Sequence, residues 1–329
     1  MQSKYFILLL LFFPFYLQAQ PSLQPTGFSF LRIEPSARAM AMGSAYAGMN
    51  GDVNTFFYNP ATLDLSSAGV VSVSVLNYLA DARATSAAYA HHVPKVGTIA
   101  LGVRAIGYGN FVETGCGDTA GSVPSESLDC TPNGFSAGDV ALTAGLSRDY
   151  TARIRYGINV HGIISRISEY RASAVAADFG LVYHHDEGGL IVSASALNVG
   201  KTFDSLGETK DVLPTDIRVG ISQKLRYMPF TISVMAYNLL DIEEDDFSAR
   251  QVLNHFSFGG EFRLGTAMSI RLGYNPLRNE MLRVRNRLDM AGLGIGFGLK
   301  ISQFRLDYGY NNWSSAGKLH QLTAQYRLK

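Results

Sequence analysis

Residues 293–301 read Leu-Gly-Ile-Gly-Phe-Gly-Leu-Lys-Ile, and residues 304–310 follow with Phe-Arg-Leu-Asp-Tyr-Gly-Tyr. In both stretches a large apolar side chain alternates with a small or charged one. A β-strand points successive side chains to opposite faces, so each stretch predicts a strand with one apolar and one polar face. The period of two also places Gly294, Gly296 and Gly298 on one face. There they would make room inside a barrel, and they do not form a phosphate-binding loop.

The same alternation recurs along most of the chain and predicts an all-β fold. We count fourteen strands, which begin near residues 69, 83, 95, 137, 152, 170, 188, 214, 229, 251, 266, 290, 303 and 317. Aromatic residues stand near several strand ends, among them Tyr156, Tyr183, Tyr274 and Tyr310. Such rings suit the interface between a bilayer and water.

The connections differ in length according to which strand they follow. Four that follow odd-numbered strands are long, and they span residues 110–136, 201–213, 241–250 and 277–289. Those that follow even-numbered strands are tight turns. Short turns on one side and long loops on the other are typical of a 14-stranded antiparallel transmembrane β-barrel, whereas a soluble β-sandwich would not separate loops in this way. The even strand count predicts that both termini lie on the short-turn, periplasmic side.

The chain divides into three segments. Residues 1–19 predict a secretory signal peptide, because Lys4 precedes an apolar stretch that ends in Leu17-Gln18-Ala19. Residues 20–67 predict an N-terminal plug or hatch, and residues 68–329 the barrel. No other stretch reaches the ~20 consecutive apolar residues of a transmembrane helix. We therefore expect a protein that is exported to the outer membrane, with the signal peptide removed.

Composition excludes several classes of protein. Lys and Arg number 28 against 27 Asp and Glu, a balance that argues against nucleic acid as a partner. Two Cys cannot make a disulfide-rich scaffold or a zinc ribbon. No pattern indicates a catalytic nucleophile and base, a metal site or a cofactor, so the sequence predicts a protein that is not an enzyme.

The segment before the barrel has its own pattern. Ser36 predicts the cap of a short helix over residues 37–41, which are rich in good helix formers. Small residues follow and would let the segment pack closely against a wall. We expect it to fold back into the lumen as a plug; a periplasmic flap beneath the barrel is the alternative. The candidate plug residues are Ser36, Ala37, Arg38, Gly43, Asn59, Pro60 and Ala61.

Charged residues on the inward strand faces carry both signs. They predict an ion-pair network across the lumen, with a hydrated pore lining as the alternative. These residues are Arg155, Asp178, Arg218, Lys224, Glu261, Arg263, Arg271, Lys300, Arg305 and Asp307.

The long loops carry two further predictions. Cys116 and Cys130 lie in the longest connection and, in an exported protein, predict a disulfide. Closing this loop would contribute about 3 kcal/mol in the chain-entropy description. Glu243, Glu244, Asp245 and Asp246 on one loop and Arg283, Arg285 and Arg287 on another are candidates for a partner-binding surface. Pairing of the two loops with each other is the alternative.

Several short motifs resemble the PorV/PorQ family, within the wider class of outer-membrane barrels similar to FadL. The N-terminal motifs are Phe30-Leu31-Arg32-Ile33, Ser36-Ala37-Arg38-Ala39-Met40, Met42-Gly43 and Tyr58-Asn59-Pro60-Ala61. Later segments resemble the PorQ-type branch, and they are Arg271-Leu272-Gly273-Tyr274-Asn275, Ala291-Gly292 and Asp307-Tyr308-Gly309-Tyr310.

The resemblance implies two functions. The first is a non-enzymatic component of the Bacteroidetes type IX secretion system, which would dock the cell-surface attachment complex. Its partners would be outer-membrane lipid and PorZ-, PorU- and PorV-like proteins. The alternative is a FadL-like channel whose ligand is a small hydrophobic molecule. The fold alone does not decide between them.

Overall fold

The computed structural model describes residues 27–112, 134–185, 189–206, 211–240, 248–284 and 289–328. The predicted signal peptide therefore lies outside the described residues, as do Cys116 and Cys130. Fourteen strands form one closed antiparallel barrel. Their bounds are β1 Val70–Asn77, β2 Arg83–Val93, β3 Gly97–Val112, β4 Gly134–Asp149, β5 Ile154–Ile167, β6 Tyr170–His184, β7 Leu190–Asp204, β8 Asp216–Lys224, β9 Phe230–Ala236, β10 Phe256–Leu264, β11 Met268–Tyr274, β12 Leu293–Ile301, β13 Phe304–Asn312 and β14 Lys318–Arg327.

Each strand pairs with its neighbours in sequence, and β1 closes the barrel against β14. The closing register runs from Val70 opposite Arg327 to Asn77 opposite His320. Closure leaves no strand edge without hydrogen-bond partners, which is the condition for a sheet to span a bilayer. The predicted 14-stranded antiparallel barrel is confirmed.

The largest difference in strand position concerns β10, which was expected near residue 251 and begins at Phe256. Residues Ala249–Asn254 instead form helix α2. Ser248 and Gln251 build a reciprocal capping box at its start, a local hydrogen-bond pattern that favours a helix over a strand.

The two ends of the barrel differ as the loop lengths predicted. One end, here called the short-turn end, carries the connections at residues 94–96, 150–153, 185–189, 225–229, 265–267 and 302–303. At the opposite, long-loop end the strands joined by the longer connections are β3 and β4, β7 and β8, β9 and β10, and β11 and β12. Three connections at the long-loop end depart from the pattern: residues 78–82 and 313–317 are five residues each, and only Ser168 and Glu169 join β5 to β6.

The outer wall of the barrel is apolar. Val73, Leu101, Leu142, Leu181 and Leu272 are each at least half exposed, and all point away from the lumen. Alternate positions on the same strands are buried and polar or small. An apolar exterior around a polar interior is the arrangement of a barrel that faces lipid.

Helices are few and short. Helix α1 covers Ala37–Ala41, α2 covers Ala249–Asn254 and α3 covers Pro276–Leu282. No helix in the described ranges is long and apolar enough to cross a membrane.

Residues 28–67, here called the hatch, lie inside the barrel and run along its whole height. Phe28 packs with Leu213 at the long-loop end, and Gly27 lies against Asp211 of the same connection. At the other end Arg327 donates to the carbonyls of Ser66 and Ala68. The expectation that both termini lie at the short-turn end therefore holds for the first and last strands but is wrong for the start of the described chain. The hatch carries Gly27 to the opposite end.

Candidate functional site: the hatch and the lumen cavity

The hatch begins its middle section with helix α1. The Ser36 hydroxyl accepts a hydrogen bond from the Ala39 amide at 3.3 Å, and the helix has the predicted bounds. The Ala37 amide donates to Thr323 Oγ1 of β14 at 2.8 Å. The small side chains of α1 allow its backbone to approach Gly294, Gly296 and Gly309, where a methyl group would collide with α1. The inward glycines of β12 and β13 thus form the surface on which α1 packs.

Asn59, Pro60 and Ala61 anchor the hatch nearer the short-turn end. The Asn59 side chain accepts from the Ala61 amide at 2.9 Å and caps a short 3₁₀ turn that Pro60 begins. Its amide nitrogen donates to the carbonyls of Leu181 at 3.3 Å and Ala194 at 3.1 Å. One side chain therefore shapes the turn and ties it to β6 and β7.

Arg38 of α1 enters a buried group of charges in the barrel wall. Its guanidinium binds Glu261 through two parallel hydrogen bonds, Nε to Oε2 at 2.7 Å and Nη2 to Oε1 at 2.9 Å. Arg271 Nε also binds Glu261 Oε2, at 2.8 Å. Arg271 and Arg305 both bind Asp307, each at 2.8 Å. Arg263, which is half exposed, binds Glu261 Oε1 at 3.0 Å from the edge of the group.

Asp52 of the hatch is the third carboxylate in this group of charges. Its Oδ2 lies 3.8 Å from Arg38 Nη1 and accepts from the Tyr46 hydroxyl at 2.5 Å, while Gln325 donates to Oδ1 at 2.8 Å. Burial alone would raise the pKa of this carboxyl, but Arg305 and Arg38 hold it below its usual value. Two buried arginines, Arg38 and Arg271, and the partly buried Arg305 thus face three buried carboxylates. We call this set the lumen charge cluster: Arg38, Asp52, Glu261, Arg271, Arg305 and Asp307.

The structure brings together half of the predicted lumen charges. Glu261, Arg263, Arg271, Arg305 and Asp307 meet in or beside the lumen charge cluster. Lys224 and Lys300 are exposed at the short-turn end and have no ion pair with any residue of the described ranges, so their assignment to a network is wrong. Both follow the inward parity of their strands but stand at the last turn, where solvent replaces a partner.

The other three predicted charges have separate partners. Arg155 pairs with Asp149 at the short-turn end at 2.6 Å, and Arg218 pairs with Asp216 at 2.5 Å. Asp178 is buried beside His161, whose Nε2 lies 2.6 Å from its Oδ2. Asp52, His161 and Asp216 join these contacts although the alternation pattern does not predict them, and Arg38 belongs both to the predicted plug and to the lumen charge cluster. Asp52 could have been found from the sequence, because it is a charged residue within the segment that was predicted to enter the lumen.

Thr143, His161 and Asp178 form a row across β4, β5 and β6. Thr143 Oγ1 lies 2.8 Å from His161 Nδ1, and Asp178 also accepts from Asn159 Nδ2 at 3.0 Å and from the Asn198 amide at 2.8 Å. The three side chains are at most 3% exposed. The row therefore ties four strands together rather than meeting a substrate.

A cavity of about 210 Å³ lies between the hatch and the wall in the long-loop half. Its apolar side is formed by Leu31, Ile33, Met235, Leu277 and Met281, and its polar side by Arg104, Asp216, Arg218, Tyr237 and Asn275. Arg218 also stacks over Tyr58, at 5.1 Å from the ring centre. The lining is thus about equally apolar and polar, and an apolar wall with polar groups that fix a ligand's orientation is a feature of small-molecule sites.

The lumen lining next to this cavity is apolar. Phe28, Phe30, Leu31 and Met40 of the hatch pack against inward-facing wall residues, which are Leu76, Ala84, Ile106, Ala141, Ile163, Ala172, Ala174, Ala176 and Leu319. The prediction of a polar lumen lining is therefore wrong at the long-loop end. Ile163 and the alanines of β6 are inward-facing and apolar, so the charged residues are not typical of the whole lining.

Helix α3 covers the cavity at the long-loop end. Asn275 caps the helix by accepting from the Arg278 amide at 2.9 Å. The Arg278 guanidinium pairs with Glu34 of the hatch, donates to Ser44 Oγ at 3.2 Å and lies 5.7 Å from the Trp313 ring centre. Burial would raise the pKa of Glu34, but Arg278 lowers it below its usual value. Helix and hatch are thus joined by an ion pair beside the cavity.

The predicted partner loops are described only in part. Arg283 is exposed at the end of α3, whereas Arg285, Arg287, Glu243, Glu244, Asp245 and Asp246 lie outside the described residues. No group of three metal-binding side chains occurs in the ranges that the structure describes.

The fold is similar to those of three solved outer-membrane proteins. The Pseudomonas putida toluene transporter TodX aligns over 93% of this chain and 98% of its own, with 11% identity and a TM-score of 0.55. The CymD monoaromatic hydrocarbon channel aligns over 88% and 96%, with 12% identity and a TM-score of 0.51. A Pseudomonas aeruginosa FadL homologue aligns over 90% and 98%, with 8% identity and a TM-score of 0.51.

At these identities the likeness concerns the fold. The chain has the architecture of FadL-like outer-membrane barrels. No protein-family profile matches the sequence, and no characterised protein sequence does.

Proposed function

We propose that the protein is a non-enzymatic outer-membrane channel that takes up small hydrophobic molecules at its long-loop end, which faces the cell surface. The observation that carries this proposal is the cavity beside the hatch, with apolar side chains on one wall and the apolar lumen lining next to it. The barrels with a similar fold include channels for toluene and monoaromatic hydrocarbons, which supports the same class of ligand.

The size of the cavity suits a single-ring molecule. A protein cavity of about 150 Å³ can hold benzene, and this cavity measures about 210 Å³. Leu31, Ile33 and Met235 offer apolar contact, whereas Arg218 and Tyr237 would orient a polar substituent. The hatch fills the lumen between the cavity and the short-turn end. The cavity is therefore a binding site along the transport path and not an open pore.

A substitution that fills the cavity tests the proposal. Met235 lines the cavity and is 2% exposed, so Met235→Trp should occupy most of the space. Ile232 points to lipid from the same strand, and Ile232→Trp is the matched control. Cells that carry Met235→Trp should take up radiolabelled toluene at least fivefold more slowly than cells with the wild type. The control should not differ from the wild type.

The type IX secretion role implied by the sequence resemblance gives the competing result. In that case toluene uptake by cells with the wild type or with either variant would equal that of cells without the protein. PorZ- or PorU-like proteins would also co-purify with the barrel from solubilised outer membranes. Both variants must first show the heat-modifiable gel band of a folded barrel. Equal uptake by the wild type and Met235→Trp would contradict a route through this cavity.

A further inference from the structure

The lipid-facing side of the barrel carries basic residues at the long-loop end. Alternation along each strand places five exposed basic side chains outward near this end: Arg83, Arg166, Arg171, Lys201 and Lys318. Among the described strands the one acidic residue on this outward rim is Asp204, which accepts a hydrogen bond from Ser173 at 2.6 Å. The outward rim at the long-loop end, beyond the apolar part of the outer wall, therefore carries more basic than acidic residues.

Two of these residues face each other directly. Arg166 of β5 and Arg171 of β6 are register partners. Directly opposed residues have Cβ atoms about 5 Å apart, and like charges in that arrangement destabilise the pair. Neither arginine forms an ion pair with another residue of the described ranges, and neither does the exposed Glu169 in the turn between them. No ion pair within the described ranges therefore compensates this repulsion directly.

The surroundings place the two guanidinium groups at the boundary of the bilayer. Ile164, the next outward residue of β5, is 56% exposed, and Val175 of β6 is 45% exposed. Lys201 of β7 is the register partner of Val175, four residues along β6 from Arg171, and adds a third outward positive charge about 13 Å along the strand from the pair. The connection of two residues at Ser168 and Glu169 leaves no loop above the pair to shield it from lipid headgroups.

We propose that Arg166, Arg171 and Lys201 bind the phosphate groups of an outer-leaflet glycolipid, whose acyl chains lie along Ile164 and Val175. A phosphate oxygen can accept from both guanidinium forks and so convert a like-charge pair into two charge-assisted interactions. Glu169 and Asp204 reduce the local excess to one positive charge. Recognition therefore depends on direct contact with the arginines rather than on long-range attraction.

The test uses the full-length protein in detergent, stripped of lipid, and diphosphoryl lipid A as the probe. Native mass spectrometry measures the affinity of the wild type, of Arg166→Gln/Arg171→Gln and of Arg148→Gln. Arg148 is also basic, exposed and outward-facing, but it lies at the short-turn end, so it is the matched control. The double variant should bind lipid A at least tenfold more weakly, while the control should retain the wild-type affinity.

Folding does not obscure the result, because the double variant removes a repulsive pair. Arg171→Gln alone gives a second measurement and should show a smaller loss. Equal affinities for the wild type and the double variant, or equal losses in Arg148→Gln, would overturn the proposal. Binding of inorganic phosphate alone with the affinity measured for lipid A would also overturn it, since the site would then recognise a free ion. Toluene uptake should be unchanged in the double variant, which separates this site from the lumen cavity.

Discussion

Glu261 is the residue on which the buried charges depend. It binds Arg38 of the hatch and Arg271 of the wall, and its side chain is 2% exposed. Removal of one member of a buried ion pair leaves the partner charge without compensation and costs about 3–5 kcal/mol. We expect Glu261→Gln to lower the free energy of unfolding by that amount, measured by urea unfolding of the barrel in detergent.

The control for Glu261→Gln is Glu280→Gln. Glu280 pairs with Arg250 at 2.7 Å between α3 and α2, with both side chains exposed to solvent by more than a third. Exposed pairs contribute about 0–1 kcal/mol, so this variant should unfold close to the wild-type midpoint. If both variants unfolded together, the lumen charge cluster would not stabilise the barrel.

The Glu34–Arg278 pair gives a prediction for pH. The pKa of Glu34 is lowered in the folded protein, so its contribution to stability is present above the carboxyl's unfolded pKa and is lost as the pH falls through the lowered value. Glu34→Gln should therefore weaken the contact between α3 and the hatch at neutral pH. Acidification should then weaken this contact less in the variant than in the wild type. Amide hydrogen exchange of α3, compared between the variant and the wild type at neutral and at acidic pH, measures the exposure of α3. An unchanged pH dependence in the variant would contradict this role of the pair.

At the scale of elements, the hatch depends on the inward glycines of the wall. A Cβ at Gly273 of β11 would collide with the backbone of Met42 and Gly43, whereas a Cβ at Gly162 of β5 would meet no atom within 4 Å. We expect Gly273→Ala to displace the hatch while the barrel still forms, because the strand pairing itself is unaffected. Single-channel recordings in planar bilayers should show larger or more frequent openings for Gly273→Ala, and wild-type traces for Gly162→Ala.

Local sequence determined most elements but not their contacts across the lumen. Alternation predicted the strands because each strand exposes one face to lipid and one to the lumen, and Ser36 predicted α1 because its cap acts within three residues. The Arg38–Glu261 pair joins residues 223 positions apart, so no local pattern could reveal it. The cavity likewise arises only when the hatch meets β8, β9 and α3. The apolar inward positions of β6 were not predicted because alanine occurs on both the inward and the outward face of this strand and does not distinguish them.

At the scale of the whole molecule, the closed barrel and its apolar exterior predict an integral outer-membrane protein. The protein should fractionate with outer membranes and migrate as a compact band until heated, because closed barrels resist detergent at room temperature. Gel electrophoresis of heated and unheated samples measures this directly. Recovery in the soluble periplasmic fraction would contradict the membrane placement.

The path of the hatch has a consequence for biogenesis. The Ala37–Thr323 hydrogen bond links residues 286 positions apart, so it can form only after the last strand has been synthesised. The hatch must therefore already lie beside β14 when β14 pairs with β1, because a finished cylinder would have to be threaded by a free end. Closure of the β1–β14 seam and enclosure of the hatch are therefore coupled steps in the assembly of the barrel.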